Sequence, residues 1–167
     1  QAGKVIVATG WVLYDPENIK EYHYKSQPDV LSNQEFERVL AACTREHKKL
    51  ARPSDGKAPG RIAFVQCAGS RDENHLPYCS YICCMASLKQ ATYMVDAYGD
   101  DADVSIYYID IRTIDRFEDF YAKVKKNDNV KFIKSKPASI VENKENGNPT
   151  IHGVDTEGYN RYADEHD

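Results

Sequence analysis

The chain has 167 residues, of which 41% are hydrophobic and 29% are charged. This composition is typical of one folded domain with a hydrophobic core, and it excludes an intrinsically disordered chain. The 22 basic side chains are outnumbered by 26 acidic ones, giving a net charge of −4. That balance argues against a nucleic acid as partner, because binding a phosphate backbone requires a basic excess. No apolar run has the length of a membrane-spanning helix, so we expect no direct membrane insertion.

The N-terminal part combines an apolar run with a helix. Residues 4–10 are rich in β-branched side chains and end in glycine, which predicts a buried strand followed by a turn. The run starts without an initiator methionine before it, as expected for a piece of a longer polypeptide. Ser32 and Glu35 are spaced as a capping box ahead of apolar residues, which predicts a helix of roughly three turns ending near residues 48–49. The turn-forming residues 52–60 are the best candidate for a linker.

From residue 61 onward, strands and helices are predicted to alternate. The expected strands are residues 62–66, 104–109 and 130–133, and the expected helices are residues 77–98 and 117–126. Three further strands separated by hairpin-type turns are predicted at residues 138–142, 150–154 and 159–162. This order predicts an α/β fold, with a Rossmann-like parallel sheet and its helices followed by a C-terminal antiparallel β-meander. It is the order found in the nucleotide domain of thioredoxin-reductase-type flavoproteins.

Four of the five cysteines fall in one short window: Cys67, Cys79, Cys83 and Cys84, with Cys43 apart from them. An odd number excludes complete disulfide pairing within one chain, and clustered thiols without a secretory signal indicate a reducing compartment and a metal or redox site. Cys67 should follow the first strand of the sheet, at the edge where such folds carry their sites. The other three should lie on the first turns of the next helix, where the spacing of Cys79 and Cys83 places both on one face.

Several chemistries are compatible with four clustered thiols. Thiolates favour soft centres, an iron–sulfur cluster or zinc. Structural zinc usually takes ligand pairs separated by a few residues, which the adjacent Cys83 and Cys84 fit poorly, so a cluster is the leading interpretation. Packing cysteines and a dithiol relay through the adjacent pair are the remaining alternatives. Nicotinamide binding is not favoured, because Cys-Ala-Gly-Ser-Arg at 67–71 stands where a glycine-rich fingerprint is expected.

Residues 62–91, which contain all four clustered cysteines and the run Gly69-Ser-Arg-Asp72, resemble the family of heterodisulfide reductase A subunits. Within that family they are most similar to the flavoprotein subunits of the quinone-interacting membrane-bound oxidoreductase complex. The resemblance implies a [4Fe–4S] cluster on Cys67, Cys79, Cys83 and Cys84, close to FAD in the full-length protein. It also implies that the strand end with Thr9 and Gly10 passes near the flavin.

The same resemblance implies a division of the chain and a set of partners. Residues 1–16 would be the strand end of a flanking FAD-binding domain, 17–60 a helical linker segment, and 61–167 the Rossmann-like domain carrying the cysteines. The complete complex would pass electrons between a membrane quinone pool and sulfur-compound reduction, with adenylylsulfate reductase as soluble partner. The chain would then be a cytoplasmic piece, peripheral to the other subunits of a membrane complex. No catalytic acid, base or nucleophile is predicted. The sequence leaves undecided whether the isolated chain forms a dimer.

Four further side chains near the expected site have more than one interpretation. Arg71 lies in the cysteine loop and could neutralise a cluster or a flavin phosphate, or pair with the adjacent carboxylates at 72 and 73. His75 is either a hydrogen-bond donor to a ligand sulfur or an exposed loop residue. Asp110 and Arg112 follow the second strand and could serve a partner surface, but a structural ion pair is the favoured interpretation. Cys43 is expected to pack in the core.

Overall fold

Helix and strand alternate in the middle of the chain, and strands alone form its C-terminal end. The computed structural model describes residues 3–8, 10, 12–46 and 48–167. The helices are α1 (Asn33–Glu46), α2 (Cys83–Tyr98) and α3 (Phe117–Lys125). The strands are β1 (Arg61–Val65), β2 (Asp103–Tyr108), β3 (Val130–Lys134), β4 (Ser139–Glu142), β5 (Pro149–Val154) and β6 (Arg161–Glu165). Within these residues, no helix combines the length and the apolar character needed to cross a membrane.

The first three strands form a parallel sheet in the order β1-β2-β3. In the register of this sheet, Phe64 is opposite Ile106, which in turn is opposite Phe132. Helix α2 connects β1 to β2, and α3 connects β2 to β3. The last three strands form a separate antiparallel sheet in the order β4-β5-β6. The predicted α/β fold with a parallel sheet and a C-terminal meander is therefore confirmed.

The central strand β2 is buried on both faces of the parallel sheet. On one face, Val104 and Ile106 pack with helix residues into a core that includes Leu50, Phe64, Leu88, Ala91, Met94, Val124 and Val130. On the opposite face, Tyr107 packs with residues of the second sheet and the N-terminal segment, among them Ile19, Tyr22, Ile140 and Ile151. The parallel sheet is therefore a middle layer between helices and the meander, which explains the apolar run of β2.

Tyr107 connects the two sheets through its hydroxyl group. The hydroxyl donates to Asp164 Oδ2 at 2.8 Å and lies 3.1 Å from His166 Nε2, while the ring stacks on Tyr162 with centroids 5.4 Å apart. Burial, helped by the Asp164 carboxylate, raises the pKa of Tyr107, and burial lowers the pKa of His166. A buried hydroxyl thus spans the interface between the two layers.

Glu165 of β6 is surrounded by amide donors from the β4–β5 turn. Its carboxylate accepts from Asn143 at 2.6 Å, Asn148 at 3.1 Å, Asn146 at 3.0 Å and Arg61 at 3.1 Å. These donors, Asn143 first, hold the pKa of Glu165 down at about 2. Because the donors come from the turn and from β1, the ionised carboxylate ties the meander to the parallel sheet.

Helix α1 begins with the predicted capping box. Ser32 donates to Glu35 Oε2 through its backbone N–H at 2.8 Å and its hydroxyl at 2.7 Å, and the Glu35 N–H returns a bond to Ser32 Oγ at 3.3 Å. Gln90 of α2 joins the two helices, bonding Asn33 at 2.6 Å and Glu37 at 2.8 Å. The described helix runs to Glu46, and Lys48 and Lys49, where the sequence predicts its end, have no helical conformation.

The predicted N-terminal strand is wrong for the residues that are described. Residues 4–8 and 10 have no strand conformation, and Ile6 is 91% exposed. A strand needs a neighbour for its backbone N–H and C=O groups, and no described strand pairs with this run. Strand β6 also starts later than predicted, because the turn before it extends through Tyr159, whose φ is +55°.

The segment before β1 is held against the second sheet by Arg52. Its guanidinium bonds Asp29 Oδ2 at 3.2 Å and Asn148 Oδ1 at 2.9 Å, and it lies 3.7 Å from Asp167 Oδ1. The side chain is 11% exposed. Asp167 also accepts from the backbone N–H of Gly60 at 2.8 Å. The proposed division at residues 16 and 60 stays a prediction.

Candidate metal centre

The four clustered cysteines line a single depression beside the carboxyl end of β1. Cys67 follows β1, Cys83 and Cys84 open α2, and Cys79 lies in the loop between them. The depression has about 260 Å³ of empty space, including the part open to solvent. The other residues that line it are Ser70, Ser80, Tyr81, Ile82 and Arg112. The fold therefore brings together the four cysteines that the sequence grouped.

Cys79 lies outside the helix, which corrects the predicted helix start after Pro77. Helix α2 begins only at Cys83. Tyr81 has a φ of +60°, in the left-handed region, and a right-handed helix cannot continue through such a residue. The shared helix face predicted for Cys79 and Cys83 is therefore wrong. Instead, the backbone N–H of Tyr81 donates to Cys79 Sγ at 3.4 Å and fixes the sulfur in the turn.

The loop that carries Cys67 and Cys79 is closed by its own hydrogen bonds. The hydroxyl groups of Ser70 and Ser80 lie 2.8 Å apart, and the Arg71 N–H donates to the Tyr78 carbonyl at 3.2 Å. Cys67 has a φ of +55°, which turns the chain out of the strand direction. Because these bonds join the two ends of the loop, residues twelve positions apart in sequence reach the same depression.

Two of the four sulfurs are buried, and one of them accepts a backbone hydrogen bond. Cys67 and Cys84 are each 8% exposed, whereas Cys79 and Cys83 are partly exposed. The Arg112 N–H donates to Cys84 Sγ at 3.5 Å. Burial raises the pKa of the Cys67 and Cys84 thiols, and neighbouring cysteines raise both further. All five cysteines are free thiols.

The start of α2 adds favourable electrostatics for negative sulfur ligands. The residue before the helix, Ile82, has no side-chain acceptor for the first helical N–H groups. These groups and the positive end of the helix dipole therefore face the region of Cys83 and Cys84. A helix N-terminus of this kind stabilises thiolates.

The donor set is suited to a soft metal centre. Among the described side chains that line the depression, the four thiols are the soft metal donors, and thiolates select iron–sulfur clusters or zinc. Across the described ranges, no three Cys, His, Asp or Glu side chains are arranged to hold one metal ion. The assignment of Cys67, Cys79, Cys83 and Cys84 as ligands stays a prediction that the chemistry of the donor set supports.

Three charged residues form a group next to the sulfurs. Arg71 pairs with Asp110, and not with the carboxylates at 72 and 73. Arg112 donates through Nε to Asp110 Oδ1 at 3.2 Å. Asp72 pairs instead with Lys136. Arg71 as a residue that contacts a cofactor stays a prediction.

The predicted flavin contacts lie in the N-terminal segment. Thr9 is outside the residues that the structure describes. Gly10 is exposed, has a φ of +71°, and has open space where a Cβ would stand. Both residues therefore stay predictions.

Most of this chain is similar to part of several heterodisulfide reductase A subunits. The A subunit of the H(2):CoB-CoM heterodisulfide,ferredoxin reductase of Methanothermobacter marburgensis is 41% identical over 145 residues, or 86% of this chain. The second iron-sulfur A subunit of the CoB–CoM heterodisulfide reductase of Methanopyrus kandleri is 39% identical over 158 residues, or 93% of this chain. The corresponding iron-sulfur A subunit of Methanocaldococcus jannaschii is 38% identical over 160 residues, again 93%. The chain is homologous to a segment of the heterodisulfide reductase A subunits.

The homology to the heterodisulfide reductase A subunits covers most of this chain but a small part of each relative. The chain spans 22% of the M. marburgensis protein and 24% of the M. kandleri and M. jannaschii proteins. No family model matches the chain. The activity and partners of a whole heterodisulfide reductase subunit are therefore matters for proposal.

Two contacts near the cysteine loop were not predicted from the sequence. Tyr14 places its hydroxyl 2.6 Å from His75 Nδ1, so His75 is a half-buried partner of the N-terminal segment and not an exposed loop residue. The ring of Tyr14 also lies against Gly69, at a position where a Cβ would be 2.3 Å from two ring carbons. No local pattern signals this pairing, because the partners are far apart in sequence. Cys43, in contrast, packs beside the main core as predicted.

Proposed function

We propose that this chain holds a [4Fe–4S] cluster on Cys67, Cys79, Cys83 and Cys84 and transfers electrons within a larger flavin-dependent oxidoreductase. The observation that carries the proposal is the convergence of four free thiols on one depression at the start of α2. The names of relatives, which include the word "iron-sulfur", support the same chemistry. When bound, such a cluster would supply one-electron transfer.

The chain's own groups would hold and tune that centre. Cys67 and Cys84 would bind from the buried side and keep water away, while Cys79 and Cys83 would bind from the open side. The N–H groups of Tyr81 and Arg112 donate to two of the sulfurs and reduce their negative charge. Because burial raises the pKa of the Cys67 and Cys84 thiols, binding at neutral pH has to release their protons.

For the complete protein we propose FAD next to this centre, with Thr9 and Gly10 near the flavin and Arg71 neutralising charge. We further propose that the complex exchanges electrons between a membrane quinone pool and adenylylsulfate reductase, on the cytoplasmic side of the membrane. The resemblance of residues 62–91 to flavoprotein subunits of the quinone-interacting complex supports this assignment. Anaerobic co-purification from the native cells tests this assignment, and adenylylsulfate reductase should be recovered with the protein. Recovery of heterodisulfide-cleaving subunits without adenylylsulfate reductase would refute the assignment.

The cluster itself is tested by producing the chain without oxygen and reconstituting it with iron and sulfide. We expect a brown protein with iron and sulfide in equal amounts and visible absorbance that dithionite bleaches. Each of the four single variants Cys67→Ser, Cys79→Ser, Cys83→Ser and Cys84→Ser should abolish or strongly reduce this absorbance.

Cys43→Ser is the matched control and should retain the absorbance. Its thiol lies on α1 and points to the Lys49 carbonyl at 3.6 Å. Stoichiometric zinc without visible absorbance would instead support a zinc-stabilised interaction module. Dithiol turnover lost specifically in Cys83→Ser would support thiol–disulfide chemistry. Size-exclusion chromatography of the same sample tests whether the isolated chain forms a dimer.

A further inference from the structure

We infer that Arg112 raises the reduction potential of the proposed cluster by placing a fixed positive charge on the wall of its site. This inference rests on the function proposed above. It adds a tuning role to the Asp110–Arg112 ion pair, which the sequence predicts and the structure contains.

Arg112 contacts the ligand set from outside the cysteine loop. It lies in the connection between β2 and α3, at the same sheet edge as Cys67. Its backbone N–H donates to Cys84 Sγ at 3.5 Å, and the residue lines the depression together with all four cysteines. The backbone bond fixes the position of the residue relative to a ligand, so the side chain starts from a defined point beside the site.

Asp110 holds the guanidinium of Arg112 in place. Nε of Arg112 lies 3.2 Å and 3.4 Å from the two carboxylate oxygens, and an Nη atom is 3.4 Å from one of them. Arg71 pairs with the same carboxylate. Two cations thus share one anion, which leaves the group with one net positive charge. Arg112 is 39% exposed, so water screens its charge only in part.

The sign of the effect follows from the charge of the redox step. One electron, supplied by an external reductant such as dithionite, adds one negative charge to the cluster and its thiolates. A nearby positive charge stabilises the reduced form more than the oxidised form, so it raises the potential. Removing the charge of Arg112 should therefore lower the potential, and removing that of Asp110 should raise it.

The experiment is a redox titration of the reconstituted 167-residue chain, followed by electron paramagnetic resonance of the reduced cluster. We expect Arg112→Gln to lower the midpoint potential, Arg112→Lys to stay near the parent value, and Asp110→Asn to shift it upward. Arg116→Gln is the matched control, because Arg116 is an exposed residue of the same connection and carries the same charge. Its potential should equal that of the parent.

Each alternative result has a definite meaning. A cluster-containing Arg112→Gln protein with the parent potential overturns the inference and leaves the cluster assignment intact. Equal shifts in Arg112→Gln and Arg116→Gln also overturn it, because they report net charge alone. If Arg112→Gln fails to hold the cluster, Asp110→Asn decides: an upward shift supports the inference, and an unchanged or lower potential overturns it. A parent chain without iron overturns both this inference and the proposed function.

Discussion

Replacing Gly69 by alanine would push a methyl group into the ring of Tyr14. The new Cβ would stand 2.3 Å from ring atoms Cδ1 and Cε1 and 2.7 Å from Cγ. Carbon atoms in contact are about 3.5–4.0 Å apart, so the ring would have to move by more than about 1 Å. Such a movement breaks the 2.6 Å contact between the Tyr14 hydroxyl and His75 Nδ1. The N-terminal segment would then lose its hold on the cysteine loop.

The expected cost can be estimated from the two interactions that are disturbed. Overpacking costs about 1–3 kcal/mol, and one hydrogen bond contributes about 0.5–1.5 kcal/mol. Because the Tyr14 ring can swing away, the loss in free energy of unfolding cannot exceed what all the contacts of Tyr14 contribute. Gly69→Ala should therefore destabilise the protein no more than Tyr14→Ala does. Alanine is acceptable for the backbone of Gly69, which lies outside the left-handed region. In a Tyr14→Ala background the change should therefore be neutral, or stabilising by up to about 1 kcal/mol.

The coupling free energy is measured by urea unfolding of four proteins, followed by circular dichroism under reducing conditions. These are the parent, Gly69→Ala, Tyr14→Ala and the double variant. We expect a coupling free energy of about 2 kcal/mol between positions 14 and 69, within the range for residues in contact. Tyr14→Phe should reproduce only the hydrogen-bond part. Equal destabilisation by Gly69→Ala with and without the Tyr14 ring would refute the proposed contact.

Three further predictions concern the scaffold of the site. Ser32→Ala should lower the free energy of unfolding by about 1 kcal/mol through loss of the capping box, and Ser32→Thr, which keeps the hydroxyl, should retain most of the stability in the same urea assay. Tyr107→Phe should cost about 1–3 kcal/mol, because it leaves the half-buried Asp164 and the buried His166 without the hydroxyl; an unchanged urea midpoint would contradict this network. Glu165 has its pKa lowered to about 2, so its contribution is present above its unfolded-state pKa near 4.3 and is lost as pH falls toward 2. Glu165→Gln should flatten the fall in thermal stability across that acid range, and an unaltered pH profile would show that the amide donors do not stabilise the carboxylate.

The site illustrates how an α/β sheet brings distant residues to one edge. The cysteine loop follows β1 and Arg112 follows β2, and parallel neighbours end on the same side of the sheet. A nucleotide-type fold therefore offers this position to different chemistries. Here the first connection carries cysteines where a glycine-rich phosphate loop is common, and the second connection adds charge and a backbone donor.

Features with a short-range physical cause could be predicted from the order of residues. The capping box of Ser32 and Glu35 needs only two side chains on adjacent turns. Apolar runs indicated the three parallel strands, and turn residues located the meander, because both signals repeat within a few residues. The clustering of four cysteines likewise predicted that these side chains meet at one edge of the sheet, and all four line the same depression.

Features that depend on partners far away in sequence could not be predicted in this way. The start of α2 moved to Cys83 because the loop before it is closed by Ser70 and Ser80, and a left-handed Tyr81 interrupts the helix. The exposed run at residues 4–8 has the pattern of a strand, yet its pattern cannot supply a hydrogen-bonding neighbour. Arg112 gained its place beside the sulfurs only when β2 docked parallel to β1. Local periodicity encodes which backbone states are favourable, whereas contacts across the sheet arise from packing of the whole chain.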